Sequence, residues 1–358
     1  MFFLLYFVLL IFFAIYSYAL VDPNLTLIQS DIWVGFRNSL VDLGYYHRDA
    51  SWLLYLVGVV LLFVFSYFFT KNFKKFDPLR IAILVGLVSL ISYPFLTHDL
   101  FNYMFDAKIV TWYHQNPYLF KALDFPQDQW LRFMHWTHRT YPYGPVFLLI
   151  TLVPSFLSLG KFLLSFLLFK VTWLVFYALS VYCLKKIDKR SAILFATNPL
   201  VIIEGLINMH NDLVAVSLGI IGVYFIFKQR EILGRFFILA SAGIKYVTAP
   251  LILTSGRNKV FQFLAFAGVA AILIYMSLWV GIQPWYFINL FVFLPFPLRF
   301  ILPLNVFFFG LLVSYYPYIR LGGWDKLNNV NLQHSIIIFF SIFAAIILLV
   351  REVRKKYV

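Results

Sequence analysis

Residues 51–70 read SWLLYLVGVVLLFVFSYFFT, twenty positions without a charged side chain. Wound as an α-helix at about 1.5 Å per residue, such a run covers the roughly 30 Å hydrocarbon layer of a bilayer. Basic residues follow at once: Lys71, Lys74, Lys75 and Arg80. Comparable runs recur near 3–20, 81–97, 165–184, 190–206, 213–228, 259–280, 300–319 and 335–350, and three less regular ones at 145–163, 236–254 and 285–298. Backbone polar groups cannot face lipid unpaired, so each run must span as a helix, re-enter as half-helices or lie at the interface. The expected fold is all-α: one polytopic membrane helix bundle over residues 1–358, with about ten spanning helices plus re-entrant or interfacial ones.

Composition supports the same solvent. Hydrophobic residues make up 62% of the chain and charged ones 12%, against about a quarter charged in soluble domains. The 43 Phe and 23 Tyr suit a chain that sits in lipid and anchors at its interfaces. A formal charge of +14 does not point to nucleic acid, because the basic residues fall in short clusters between apolar runs. That spacing suits loops facing anionic lipid. The single cysteine, Cys183, excludes an internal disulfide and a Cys-rich metal site. Ser17-Tyr18-Ala19 has the small-x-small form of a cleavage site, but Met1–Leu20 lacks a basic leader and reads as a retained first helix.

Charge sets the expected topology. The clusters Lys71–Arg80, Lys185/Lys186/Lys189/Arg190, Lys228/Arg230/Arg235, Arg257/Lys259, Arg299 and Arg351/Arg354/Lys355/Lys356 all become cytoplasmic if 145–163 and 236–254 do not cross while 285–298 does. The seven histidines (His47, His98, His114, His135, His138, His210, His334), which played no part in that choice, then all fall outside with most of the acids. Titratable chemistry on the outer face is what an enzyme working there would show. The long outer segment 97–144, rich in Trp, Tyr, His and Asn, is too long to be idle and is expected to carry interfacial helices and the site.

Within it, Thr97-His98-Asp99-Leu100-Phe101-Asn102-Tyr103-Met104-Phe105-Asp106 is the densest constellation. Wound as a helix, it places Asp99, Asn102 and Asp106 on one face. A half-shielded carboxylate at a helix end can act as general base, although the commonest use of Asp there is as a cap. Arg132, His138 and Arg139 could hold a phosphate, or could belong to an amphipathic helix at the headgroups. Tyr141-Pro142-Tyr143-Gly144-Pro145 carries turn signals. Further on, Asn198-Pro199-Leu200 and Glu204 precede His210-Asn211-Asp212. Asn211 or Asp212 would ordinarily cap the next span, whereas an acid such as Glu204 inside a span is costly and usually functional. Lys245 interrupts an apolar run between Gly243 and Pro250 and needs an anionic partner, either a lipid-linked phosphate or Glu204. His210, Asp212, Asp99 and His98 match no local metal-binding spacing.

In the order His98–Tyr103, Asn116-Pro117-Tyr118, Tyr141–Pro145, Asn198–Leu200, His210–Asp212, Lys245 and Gln283-Pro284-Trp285-Tyr286, the chain resembles the GT-C class of membrane glycosyltransferases. It is most similar to the bacterial polyprenol-phosphate-mannose-dependent mannosyltransferases. The resemblance implies inverting transfer of mannose from a polyprenyl-phosphate carrier to a glycolipid or glycan on the outer face of the plasma membrane, with no nucleotide sugar and no obligatory metal. It gives Asp99 the role of general base, and Lys245, with Arg132, Arg139 or His138, that of neutralising the leaving phosphate. Substrate contacts are expected from His98, Asn102, Asp106, Tyr141, Tyr143, Glu204, His210 and Asp212 as well. One departure is that Asp99 follows the third apolar segment, where many such enzymes place the acid after the first; Asp22, Asp31, Asp42 and Asp49 are thus rivals. A lipid-linked polysaccharide polymerase would look similar. A transporter or flippase would share the intramembrane Lys and Glu, but often with inverted repeats, and no repeat is evident here.

Overall fold

The computed structural model describes residues 2–23, 25–256, 258–296, 304–323 and 326–357. Arg257, Arg299 and the start of the expected 300–319 span lie outside the described residues. Among those described, the fold is helical with no strand. The helices are α1 (Phe2–Tyr16), α2 (Asp31–Tyr45), α3 (Arg48–Lys71), α4 (Pro78–Leu90), α5 (Asp99–Thr111), α6 (Pro145–Leu157), α7 (Phe162–Ile187), α8 (Lys189–Thr197), α9 (Asp212–Phe227), α10 (Glu231–Ala242), α11 (Lys259–Met276), α12 (Asn305–Val313) and α13 (Leu327–Tyr357).

Among the described residues, four helical stretches, Arg48–Lys71, Phe162–Ile187, Lys259–Gly281 and Leu327–Val350, are long and apolar enough to cross a membrane. A fifth crossing is available if α8 and the π-helical Val201–Ile207, bent by 65°, count as one broken span. The expectation of about ten crossings is therefore met in full length by fewer elements. The remaining apolar runs are built as shorter helices such as α1, α4, α6 and α9. Each shortening has a local cause. The 81–97 run stops at Leu90, where Ser89 turns its hydroxyl back onto the Val85 carbonyl and Pro94 cannot continue a helix. The 236–254 run breaks at Gly243 into α10 and a tight 3₁₀ helix, Tyr246–Leu253, which contains Pro250. The 285–298 run is likewise a 3₁₀ helix, Pro284–Phe293. Part of the 21–50 segment, expected to be a loop, forms α2, capped by the Ser30 side chain on Trp33 N.

The two longest well-buried spans share a direction. At the start of α3, Asp49 pairs with Arg320. At its end lies the basic cluster from Lys71 onward. α7 starts with Phe162 stacked on Phe133 at 4.3 Å and ends with Lys185 bound to Asp77 at 2.6 Å. Lys189 also donates to the Lys74 carbonyl. Two of the basic clusters thus meet at one end of the bundle, while the aromatic and histidine-rich segment 97–144 lies at the other. α3 with 24 residues separates these ends by about 36 Å.

Candidate active site

The segment between α4 and α5 is pinned at every step. The Tyr93 amide donates to Ser17 Oγ at 2.8 Å and the Leu96 amide to Asn208 Oδ1 at 3.1 Å. Lys170, fully buried on α7, donates to the Ser89 carbonyl at 2.9 Å and to Ser92 Oγ at 3.0 Å. Thr97 Oγ1 then accepts from the Asp99 amide. Asp99 is thereby held as the first residue of α5. The cap position belongs to His98, which makes no side-chain cap bond, so the ordinary capping role for Asp99 does not apply.

The Asp99 carboxylate turns elsewhere. Its Oδ2 lies 3.3 Å from His210 Nδ1 and accepts from the Tyr103 hydroxyl at 3.3 Å. Oδ1 has no hydrogen bond among the described residues, and the side chain keeps 17% exposure. On the far side of the imidazole, His210 Nε2 is 3.2 Å from Glu204 Oε2. Glu204, completely buried, also accepts from Asn208 Nδ2 at 3.3 Å and faces Tyr315. The His210 ring stacks on Trp285 at 4.3 Å, and its carbonyl accepts from Trp173 Nε1. Burial alone would lower the His210 pKa, but carboxylates at both ring nitrogens outweigh it and raise it to about 9. Burial likewise opposes ionisation of Asp99, yet the His210 cation, with Lys245 and Arg139 beyond, holds its carboxyl below the usual value. With its pKa raised, His210 stands as a cation between the Asp99 and Glu204 side chains at neutral pH.

The backbone that brings these groups together is irregular by design of its sequence. Pro199 cannot donate, and Asn198 Oδ1 takes the Leu200 amide instead, so α8 bends into the π-helical turn that turns Glu204 inward. Met209 at φ 63° completes the reversal that presents His210. Asp212 and Asn211 do not cap α9 by side-chain bonds. Asp212 instead pairs with Lys245 Nζ at 3.1 Å and accepts from Asn289 Nδ2 at 2.7 Å. The structural partner of Lys245 is therefore Asp212, and the expected alternative, Glu204, is engaged with His210. Gly144 sits against the turn before Lys245. A Cβ there would lie 2.1 Å from the Gly243 carbonyl oxygen, so only glycine lets the end of the 97–144 segment dock beside the lysine.

Other expected site residues divide. Tyr143 packs on Tyr103 at 5.4 Å between ring centres. Asn102 and Asp106 are buried on the inward face of α5, and Tyr141 is buried with its hydroxyl unbonded. Burial raises the Asp106 carboxyl to about 7, with Arg139 opposing. His98 stacks on His135 at 3.7 Å, and burial pushes it down to about 4. Arg132 is exposed, lies over Phe133 and lines a separate recess with Thr26 and Gln29. His138 is exposed beside Trp136. Neither Arg132 nor His138 contacts the Asp99–His210–Glu204 group. Sequence reasoning passed over Asn289, whose signal was an amide inside an apolar run. Gln283 and Trp285 entered only as part of a resembling stretch, with no site role, and Gln333 was passed over; all three border, with Asp99, a cavity of about 300 Å³.

A family model described as the alpha-(1->6)-mannopyranosyltransferase N-terminal domain matches residues 13–257, more than two thirds of the chain. The chain belongs to this family. It is a mannosyltransferase, and Asp99, Glu204, His210, Asp212 and Lys245 all lie inside the matched part, whereas Trp285, Asn289 and Gln333 lie beyond it. No curated protein and no solved structure matches the mannosyltransferase.

Proposed function

We propose that the protein transfers mannose from a polyprenyl-phosphate carrier to a glycan or glycolipid hydroxyl, on the outer face of the plasma membrane, with Asp99 as general base. The observation that carries this reading is the division of labour between the two Asp99 oxygens. Oδ2 is fixed by His210 and Tyr103, Oδ1 carries no hydrogen bond among the described residues, and Asp99 lines the cavity. An acceptor hydroxyl placed at Oδ1 gives up its proton as its oxygen bonds the anomeric carbon, and the carrier phosphate departs with the bonding electrons. One displacement inverts that carbon, so an alpha product calls for a beta-linked donor. Phosphate is already a fair leaving group, so alignment, a base and a cation suffice. Lys245, 17% exposed, and Arg139, whose guanidinium lies 4.9 Å above Trp136, are the cations for that phosphate, each able to make charge-assisted bonds. His210 holds the base ionised and oriented.

Purified protein in nanodiscs, given radiolabelled polyprenyl-phosphate mannose and a native lipid extract, should transfer label to lipid. Given labelled GDP-mannose alone it should transfer none. Transfer from the nucleotide sugar, with none from the lipid carrier, would overturn the donor assignment.

A further inference from the structure

The cavity beside Asp99 has a lining that discriminates between the two substrates. Its walls come from the Leu96–Asp99 segment, from His135 and Trp136, and from Gln283, Trp285, Tyr318 and Gln333 on elements beyond residue 257. Among the described residues no Lys or Arg and no acid other than Asp99 lines it. Lys245 is absent from its walls, and Arg139, which lies over the ring of Trp136, is not among the lining residues. Walls that carry one carboxylate and no cation disfavour a phosphate. The cavity offers aromatic faces, on which the C–H faces of a pyranose can pack, and amides that both donate and accept. Gln333 is 3% exposed, and its amide makes no hydrogen bond among the described residues. Gln283 is likewise without a side-chain bond among them. Buried amides normally find partners, so Gln333 is a group that a ligand would satisfy, and the half-buried Gln283 in the same lining can add a second contact. The volume, about 300 Å³, is of the size that holds a small ligand.

We propose that this cavity is the acceptor subsite, that it takes the uncharged terminal sugar of the acceptor glycan, and that Gln333 and Gln283 fix that sugar with one hydroxyl toward Asp99 Oδ1. The donor phosphate then lies beside Lys245, which is outside the cavity lining and pairs with Asp212. Selection of acceptor is thereby assigned partly to residues outside the matched 13–257 portion. The proposal rests on the transferase reading above for the direction of the hydroxyl, but its binding step stands apart from it.

The test uses the full chain and two synthetic probes, octyl α-mannoside and its 6-phosphate. Binding is followed by the fluorescence of tryptophan, two of which line the cavity, and by calorimetry. The neutral glycoside should bind and the phosphorylated one should bind at least tenfold more weakly. Gln333→Met and Gln283→Met keep volume and remove hydrogen bonding. Each should raise the KM for the neutral glycoside as acceptor by about three- to tenfold, the effect of losing one net hydrogen bond or slightly more. The donor KM and the slow hydrolysis of donor by water should stay unchanged. Equal binding of both probes, an unchanged acceptor KM in both variants, or a matching rise in donor KM would overturn the subsite. If the wild type binds the neutral glycoside yet transfers nothing from the lipid carrier, the donor reading fails while the cavity assignment survives.

Discussion

Replacing Asp99 by Asn removes one proton-accepting oxygen and almost nothing else. The side chain keeps its volume, and its remaining oxygen can still accept the Tyr103 hydroxyl bond found at 3.3 Å. What disappears is the charge at the open Oδ1 and one of the two carboxylates beside His210. General-base assistance is worth about 10²–10⁴-fold, or about 2.7–5.5 kcal/mol of barrier, so kcat should fall by that factor. The structural cost should be smaller. Removing one member of a fully buried ion pair costs about 3–5 kcal/mol. Here His210 keeps Glu204 at 3.2 Å, and Asp99 is 17% exposed, so about 1–2 kcal/mol is expected. The assay is label transfer from polyprenyl-phosphate mannose in nanodiscs, normalised to folded protein by thermal melting. Donor binding should persist. If kcat per folded molecule stays within about threefold of wild type while the melting temperature drops, Asp99 is a structural partner of His210 and the base must be sought elsewhere.

Lys245→Ala should lower kcat/KM for donor by the loss of a charge-assisted bond, about 1.5–3 kcal/mol, and leave the acceptor KM unchanged; a melting shift alone would restrict Lys245 to its pair with Asp212. Because the His210 cation deprotonates near 9, one ring nitrogen then loses its proton and His210 can no longer donate to both Asp99 and Glu204, so the still ionised Asp99 loses its fixed orientation and activity should decline as pH rises through that value; His210→Gln should lower kcat and erase this alkaline limb, and a wild-type profile flat to pH 10.5 would contradict the ion-pair reading. In a Cys183→Ser background, cysteine at exposed His114 should react with an impermeant thiol reagent outside intact cells, and cysteine at exposed Lys186 should not; the reverse pattern would put the site on the cytoplasmic face. Gly144→Ala forces a Cβ to within 2.1 Å of a backbone oxygen, so transfer should fall at least tenfold with a lowered melting temperature; wild-type activity would mean that the Tyr143–Pro145 turn does not need its docking on Gly243.

The solvent and the class of fold were legible in the chain because both are matters of composition and length. Twenty uncharged residues at 51–70 can be little else than a spanning helix, and the structure makes them part of α3. The Asp99 segment was legible for a similar reason, since a dense polar cluster where an apolar run ends is a local signal. So was the placement of Glu204 as a buried ionisable group and of Lys245 as a cation within an apolar run. Their partners were not. Whether Lys245 meets Glu204 or Asp212 depends on how a broken α10 faces the start of α9, and on a glycine at 144 that lets two loops touch. Helix length was overestimated wherever Ser, Asn and Pro side chains diverted the backbone, at Ser89–Pro94 and Asn198–Pro199, because hydropathy is blind to such bonds. The sequence by itself determined that this protein is built of apolar membrane helices with basic clusters between them, because transfer energies act on each residue alone. Only the tertiary structure decided that His210 stands between Asp99 and Glu204, with Trp285 and Gln333 brought in from beyond residue 257, because ion pairing and cavity walls depend on distances between segments far apart in the chain.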